Sequence, residues 1–330
     1  MSTHSIRLAL AAALCAIATH DAMAASQRTF VASYGMDTNA CSLLAPCRSF
    51  ATALAQTVPG GETVVLDSAG YGPFTVSQAA TILAPAGVYA GISVFSGAGI
   101  TVNAGATDKV TLRGLTVNSI SGAQGIVYAS GAALYLDNVI VTGFTSGAGA
   151  GGLVATAAAS GSIYVIDSAF RDNSVGATFT ASAGTLTVSL ERVLFERNPI
   201  GVTFADRTAA TMRGSIVSGA TTGIVVAAAA GGNKVEVRDT TISGSTGAAL
   251  AVGPAASASV ASFVNSLATS NGVGVQAQGA ANIAYVSSST ITRNATGVSA
   301  TGGGAVVSGL DNWLVGNTSD GIFSSSVARQ

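Results

Sequence analysis

The sequence has little charge, little proline and almost no histidine or tryptophan. Of its 330 residues only 9% are charged, 14 basic and 15 acidic, where an ordinary globular domain has about 25%. This scarcity excludes a coiled coil, which needs charged faces, and a nucleic-acid-binding protein, which needs a basic field. The 48% apolar fraction excludes a disordered chain. The 6 prolines and the lack of a Gly-X-Y period exclude proline-rich linkers and collagen.

Residues 1–24 have the pattern of a secretory signal peptide. Arg7 precedes an apolar run from Leu8 to Ala18, and Ala22-Met23-Ala24 forms an A-x-A cleavage site. The apolar run is too short to span a bilayer as a helix. We therefore expect a secreted or periplasmic protein, with cleavage after Ala24.

Cleavage at that site would leave a chain without histidine, because His4 and His20 both lie in the removed segment. Such a chain cannot use an imidazole as a base or form a Ser-His-Asp relay, and it lacks histidine, the commonest zinc ligand. Cys41 and Cys47 enclose a short loop, and disulfides persist in exported proteins, so we predict a bond between them. A metal site would need more ligands nearby, and a redox pair would more often be C-x-x-C.

A repeat runs through the rest of the chain, in which a small residue is followed by an apolar one every 22 to 27 residues. An asparagine lies three or four residues before several of these pairs. Because asparagine and glycine tolerate the left-handed backbone conformation, the repeat predicts a recurring turn. The pairs are Gly125-Ile126, Gly152-Leu153, Gly176-Ala177, Gly201-Val202, Gly223-Ile224, Ala248-Ala249, Gly274-Val275, Gly297-Val298 and Gly321-Ile322, and the asparagines are Asn173, Asn198, Asn271, Asn294 and Asn317.

Short alternating apolar runs and two-residue corners separate these turns. Three short strands in about 24 residues form one coil of an all-β fold, a single-stranded right-handed parallel β-helix whose coils stack about 4.8 Å apart. Phe50, Ala53, Leu54 and Val58 have helical spacing and predict a short capping helix over residues 48–58, ended by the Pro59-Gly60-Gly61 segment. The predicted organisation is a signal peptide (1–24), an N-terminal cap with the first irregular coils (25–109) and regular coils (110–330).

Several segments near the mature N-terminus form a distinctive opening. They are Thr29 to Asn39, Cys41, Pro46 to Leu54, Pro59 to Leu66 and Gly70-Tyr71-Gly72. This opening resembles that of bacterial exported proteins of the pectin-lyase-like β-helix superfamily. The superfamily includes pectate lyases, polygalacturonases, epimerases, adhesins, phage tailspikes and members without known activity, so the resemblance implies architecture more than chemistry.

Charged residues at the corners are the best catalytic candidates. In enzymes of that superfamily acidic residues line one strand face, whereas here the outward position after each repeating glycine carries no charge. A hydrolase needs two carboxylates, and a lyase needs a base and a cation. Asp137, Asp167 and Glu191 are predicted to stack at successive corners, with Arg213 next to them. Such acids could act in catalysis or bind calcium, or they could be exposed turn residues paired with arginines.

An apolar strip of outward side chains is a candidate contact face, unless the segment from Gly143 to Gly152 covers it. Tyr285 and Trp313 are candidate sugar-stacking side chains, but Trp313 lies just after the Asp311-Asn312 corner, where we expect an apolar side chain to face the core. The strip consists of Val127, Val154, Val225, Leu250 and Phe323.

The sequence favours a non-catalytic exported scaffold that binds a polysaccharide or another protein, including a second copy of itself. No cofactor is predicted beyond the calcium considered above. The absence of a basic run argues against nucleic acid, and no membrane insertion is expected. The alternative is a polysaccharide lyase or glycoside hydrolase whose groove is built from loops.

We expect the exported protein to begin at Ala25 and to contain a Cys41–Cys47 disulfide. Intact mass spectrometry before and after reduction and alkylation measures both features. Two cysteines should be alkylated only after reduction. An N-terminus at Met1, or two thiols that react without reductant, would contradict this expectation.

Overall fold

The computed structural model describes residues 25–328, so the predicted signal peptide lies outside the described residues. The chain is wound into a right-handed parallel β-solenoid, as predicted, and each coil contributes a short strand to each of three sheets. All pairs between these strands are parallel. No helix within residues 25–328 is long and apolar enough to cross a membrane.

The ten-stranded sheet contains the strands that begin near the repeating small residues. These strands are β4 (Phe74–Val76), β7 (Ala98–Asn103), β10 (Gln124–Ser130), β13 (Gly151–Ala157), β16 (Val175–Ala181), β19 (Ile200–Phe204), β22 (Thr222–Val226), β25 (Ala248–Val252), β28 (Val273–Gln278) and β31 (Thr296–Thr301).

The other two sheets meet at the two-residue corners. The thirteen-stranded sheet contains β1 (Ser26–Val31), β2 (Thr57–Val65), β5 (Ala80–Leu83), β8 (Lys109–Arg113), β11 (Ala133–Asp137), β14 (Gly161–Ile166), β17 (Leu186–Glu191), β20 (Thr208–Arg213), β23 (Asn233–Arg238), β26 (Ser259–Val264), β29 (Asn282–Ser287), β32 (Ala305–Ser308) and β34 (Ser325–Ser326). The eleven-stranded sheet contains β3 (Ala69–Gly70), β6 (Ala90–Val94), β9 (Leu115–Ser119), β12 (Ile140–Thr142), β15 (Ala169–Arg171), β18 (Leu194–Glu196), β21 (Ile216–Ser218), β24 (Thr241–Ser243), β27 (Leu267–Thr269), β30 (Thr290–Thr292) and β33 (Trp313–Leu314).

The core is a column of apolar side chains inside the coils. Residues of one coil stack on equivalent residues of the next, because parallel pairing in register aligns their side chains. Phe170 stacks on Phe195 with ring centroids 5.3 Å apart, and Phe179 stacks on Phe204 at 5.5 Å. All four rings are fully buried. Burial of one such ring contributes about 1.5–3 kcal/mol.

The repeating glycines serve close packing, whereas the sequence suggested a left-handed turn. A Cβ added to Gly152 would lie 2.6 Å from the carbonyl oxygen of Gly176 on the next coil, closer than any real side chain allows. The left-handed residue of the turn is the one before each asparagine, such as Asp172 (φ 54°) and Arg197 (φ 53°). The recurring turn is therefore confirmed in position, but the residue that adopts the special conformation was assigned wrongly.

The asparagines form ladders of buried hydrogen bonds between coils. The backbone N–H of Asn173 donates to Oδ1 of Asn198 (2.9 Å), and the same contact joins Asn271 to Asn294 (2.9 Å). The amide nitrogen of each side chain donates to a strand carbonyl of the previous coil, as Asn198 Nδ2 does to Phe170 O (2.9 Å). Each asparagine thus satisfies backbone groups that the turn removes from the strand ladder.

Two positions interrupt this column of asparagines. In the coil after Asn198 the equivalent residue is Ala220, and in the coil after that it is Ser245. Asparagine returns in the following coil as Asn271. The hydroxyl of Ser245 is buried and has no hydrogen-bond partner among residues 25–328. The column therefore has a gap of two coils in its middle.

A second polar ladder lies at the corner between the thirteen- and eleven-stranded sheets. Here a hydroxyl accepts the backbone N–H of the previous coil, as Ser215 Oγ does from Val193 (3.1 Å) and Ser266 Oγ does from Thr240 (3.1 Å). These serines are also buried. Both sharp corners of the coil are consequently held by side chains.

The N-terminal end is covered by helix α1 (Phe50–Ala55). Ser49 caps the helix by accepting a hydrogen bond from the backbone N–H of Thr52, and Phe50, Ala53 and Leu54 are buried. The helix is shorter than the predicted 48–58 span, because residue 57 already pairs as strand β2, which includes Pro59-Gly60-Gly61. The predicted disulfide is confirmed by a Cys41–Cys47 bond with Cα atoms 4.6 Å apart.

The C-terminal end departs from the repeat. Gly321-Ile322 was expected to start another coil, but Ile322 is 86% exposed, and β31 is the last strand of the ten-stranded sheet. Trp313 was expected in the core and is instead 69% exposed. Trp313 pairs with Thr290 at the outward position of β33, whereas Leu314 pairs with the buried Ile291 and packs against the core. Strand alternation therefore directs the tryptophan ring to the surface.

We expect Asn271→Ala to destabilise the fold by about 2–4 kcal/mol, because it leaves the buried N–H of Ser245 and carbonyl of Ile242 without their partners. Urea unfolding measures this loss. Asn103→Ala is the matched control, since Asn103 is exposed and only accepts a hydrogen bond from Ser130 Oγ. Equal unfolding midpoints for the two variants would contradict a structural role of the ladder.

Candidate functional surfaces

The outer face of the ten-stranded sheet carries two columns of uncharged side chains. Val127, Val154 and Val225 lie on it as half-exposed residues, but Thr178 and Thr203 separate the first two from the third. The columns are Val127, Val154, Thr178, Thr203, Val225, Ala251, Gln276 and Ser299, and next to them Gln124, Gly151, Val175, Ile200, Thr222, Ala248, Val273 and Thr296. Within the part of the chain that the structure describes, this face contains neither a carboxylate nor a cation.

Two of the residues expected on this face lie elsewhere. Leu250 is fully buried and pairs with Ile224 and Val275 of the inward column, because Ala249 rather than Ala248 occupies the glycine position. Phe323 lies outside the sheet and packs half-buried against the core at the C-terminal end. The segment from Gly143 lies beside the first strand of the strip, where Gln124 Nε2 donates to Gly149 O (3.2 Å).

The three corner acids do not stack on one another as predicted. Asp137 lies opposite Ile166 in the register, and its carboxylate is 2.9 Å from Arg113 Nε. Asp167 is one residue further round the corner, where it is itself the left-handed residue (φ 50°), and Ile166 occupies the strand end next to Asp137 and Glu191. Glu191, in turn, lies opposite Ile166 and Arg213. The proposed column of adjacent carboxylates is therefore absent.

Arginines partner each of these acids. Arg192 Nε lies 2.7 Å from Asp167 Oδ1, and Arg192 also pairs with Glu191. Arg213 pairs with Asp239 instead, at 3.3 Å. The hydrogen bond from Arg192 lowers the pKa of Asp167 below its ordinary value, which keeps this carboxylate ionised at neutral pH. A general acid needs a pKa close to the working pH, so this environment suits an ion pair.

No metal-binding cluster emerges from the residues that the structure describes. Among positions 25–328, no three His, Cys, Asp or Glu side chains lie close enough together to hold a metal ion. The carboxylates that were candidates for calcium are each engaged by an arginine, which competes with a cation for the same oxygens.

The outer face of the thirteen-stranded sheet carries a trough that the sequence did not predict. Its axis follows one outward column, which has a tyrosine at each end and smaller side chains between them. That column is Tyr164, Ser189, Thr211, Glu236, Ser262 and Tyr285. A cavity of about 490 Å³ lies along the middle of this column, between the two tyrosines. It is lined by Ser189, Thr211, Glu236 and Ser262 of the column and by Thr187, Ala209, Lys234 and Val260 beside it.

A second cavity of about 540 Å³ adjoins the trough and shares Ala209, Lys234 and Val260 with it. Arg207 lines this second cavity. Within the described residues neither Arg207 nor Lys234 forms an ion pair, whereas Glu236 lies 3.4 Å from Arg238. The two cations are therefore available to a ligand.

Solved structures with the same architecture include carbohydrate-active enzymes. The A-module of mannuronan C-5 epimerase AlgE4 from Azotobacter vinelandii has a TM-score of 0.50 and 12% identity, over 82% of this chain and 91% of that one. The pectate lyase Pel9A has a TM-score of 0.36 and 15% identity, over 91% and 76% of the two chains. The GH136 lacto-N-biosidase from Eubacterium ramulus has a TM-score of 0.39 and 8% identity, over 92% and 67%.

At 12% identity the likeness to the epimerase module shows the fold alone. A search of curated proteins finds no match to the chain. The family model described as "Right handed beta helix region" matches residues 98–265, which is half of the sequence. The chain belongs to this right-handed β-helix family.

Proposed function

We propose that this protein is a non-catalytic exported scaffold that binds a polysaccharide. The observation that carries the proposal is the pairing of the candidate acids. Asp137 is paired with Arg113, Asp167 and Glu191 share Arg192, and the outer face of the ten-stranded sheet carries no charge within the described residues. The chemistry of glycoside hydrolysis or β-elimination requires an unpaired base or a pair of carboxylates.

The solenoid is well suited to a polymer partner. Its coils present equivalent outward positions about every 4.8 Å along one axis, so a periodic chain can make the same contact repeatedly. Threonine and serine hydroxyls recur on these outward columns, as at Thr178, Thr203 and Thr211. These groups can exchange hydrogen bonds with sugar hydroxyls.

We expect the purified protein to release no product from polygalacturonate, alginate, xylan or mannan, with or without added calcium. Absorbance at about 235 nm reports unsaturated ends formed by a lyase, and a reducing-end assay reports hydrolysis. The paired variant Asp167→Asn with Glu191→Gln should bind the same polymers as the parent and should melt within a few degrees of it, because exposed ion pairs contribute about 0–1 kcal/mol.

A calcium-dependent product that disappears in this paired variant would overturn the non-catalytic proposal and would support the enzyme alternative. A calcium-dependent rise in melting temperature, abolished by the same variant, would show that the corner acids bind the ion. Lys109→Met serves as a control, since it removes an exposed charge that forms no ion pair within residues 25–328 and lies at the end of β8 opposite the corner.

A second candidate function is contact with another protein, including a second copy of this chain. The uncharged face of the ten-stranded sheet favours it, since Val127, Val154 and Val225 are half-exposed there together with Ile200 and Val273. Contiguous exposed apolar surface typically marks an interface.

We expect Val154→Lys with Val225→Lys to fold normally and to abolish self-association, which analytical ultracentrifugation measures. Leu250→Lys is the matched comparison, because it buries a charge inside the coil and should destabilise the fold by several kcal/mol. If the parent protein is monomeric at all concentrations and binds no protein, this face is not a protein-contact surface.

A further inference from the structure

We propose that the trough between Tyr164 and Tyr285 is an oligosaccharide-binding site. This assignment rests on the proposed polysaccharide function and locates the binding site on the outer face of the thirteen-stranded sheet. The two tyrosines lie in the same outward column and are separated by five strand spacings, about 24 Å. That length suits several linked sugar residues lying along the solenoid axis.

Each end of the trough presents an open aromatic face. Tyr164 stacks on Tyr135 with ring centroids 4.8 Å apart and an angle of 9° between the rings, which fixes the orientation of the Tyr164 ring. Its other face is turned toward Ser189 on the next coil, which is too small to cover it. Tyr164 is 38% exposed and Tyr285 is 41% exposed. A tyrosine ring packs well against the C–H face of a sugar, while its hydroxyl stays available to water or ligand.

The floor supplies the polar contacts that a saccharide needs. Ser189, Thr211 and Ser262 point hydroxyls outward, and the carboxylate of Glu236 can accept hydrogen bonds from ligand hydroxyls. Lys234 lies on the rim without an ion pair among the described residues and can donate to a sugar hydroxyl or carboxylate. An aromatic platform at each end with hydroxyl and charged groups between them distinguishes this trough from the uncharged valine face.

Calorimetric titration of the full mature chain with gluco-, manno-, xylo- and chito-oligosaccharides, oligogalacturonate and oligomannuronate tests the site. For the oligosaccharide that binds, Tyr164→Ala and Tyr285→Ala should each weaken the affinity by about tenfold or more. Tyr164→Phe should retain the affinity, because it keeps the ring. Tyr89→Ala is the matched control, since Tyr89 is 51% exposed but lies outside the trough. Circular dichroism and melting temperature confirm that each variant is folded.

Ser189→Tyr provides an independent arm, because the new ring would extend the Tyr135–Tyr164 stack and fill the trough. It should abolish binding while the fold is retained. An affinity unchanged in both alanine variants and in Ser189→Tyr would overturn the trough but leave the polysaccharide function intact. Failure of every oligosaccharide to bind the parent protein would overturn both proposals. A comparison of the affinities for acidic and neutral oligosaccharides identifies the contribution of Lys234.

Discussion

Hydrogen bonding from each coil to the next is the constraint on which this structure depends. A strand in a parallel solenoid has no partner within its own coil, so its backbone groups must be matched by the neighbouring coils. At the sharp corners the backbone turns and this matching fails. Buried asparagines such as Asn198 and buried hydroxyls such as Ser215 restore it, because their side chains accept N–H groups of the previous coil. Register, close glycine contacts and the stacked phenylalanine rings all follow from this arrangement.

The same constraint separates the inside of the coil from its outside. Inward positions must fit between two neighbouring coils, so they are filled by apolar residues and by glycine at the tightest approach. Outward positions have no such requirement, and the three faces consequently differ. The ten-stranded sheet is uncharged and rich in valine and threonine, the thirteen-stranded sheet carries tyrosines at either end of a hydroxyl-lined trough, and the eleven-stranded sheet carries the Arg171–Glu196 ion pair. The corners carry further arginine–carboxylate pairs. A binding function can therefore vary along the outer columns without disturbing the fold.

The period of the sequence was sufficient to predict the solenoid and its coil length, and the close spacing of Cys41 and Cys47 predicted the disulfide. The period could not define the register at every coil. Ala248 and Ala249 are equally small, and choosing the first placed Leu250 outside, because a shift of one residue reverses the face of each side chain. Asp167 was misplaced by one residue in the same way, because Ile166 ends the strand and Asp167 is the left-handed residue of the corner. The trough could not be found from sequence, since Tyr164 and Tyr285 are far apart in the chain and share a column only once five successive strand pairs are known.

Amide hydrogen exchange along the asparagine column tests most directly whether side-chain ladders hold the coils in register. The backbone N–H groups of Asn173, Ser245, Asn271 and Asn294 each donate to an asparagine Oδ1 of the next coil, whereas Asn198 faces Ala220, and Ala220 faces the unpaired hydroxyl of Ser245. The account predicts strong protection for the first four amides and much faster exchange for Asn198 and Ala220. Equal protection at all six positions would contradict it.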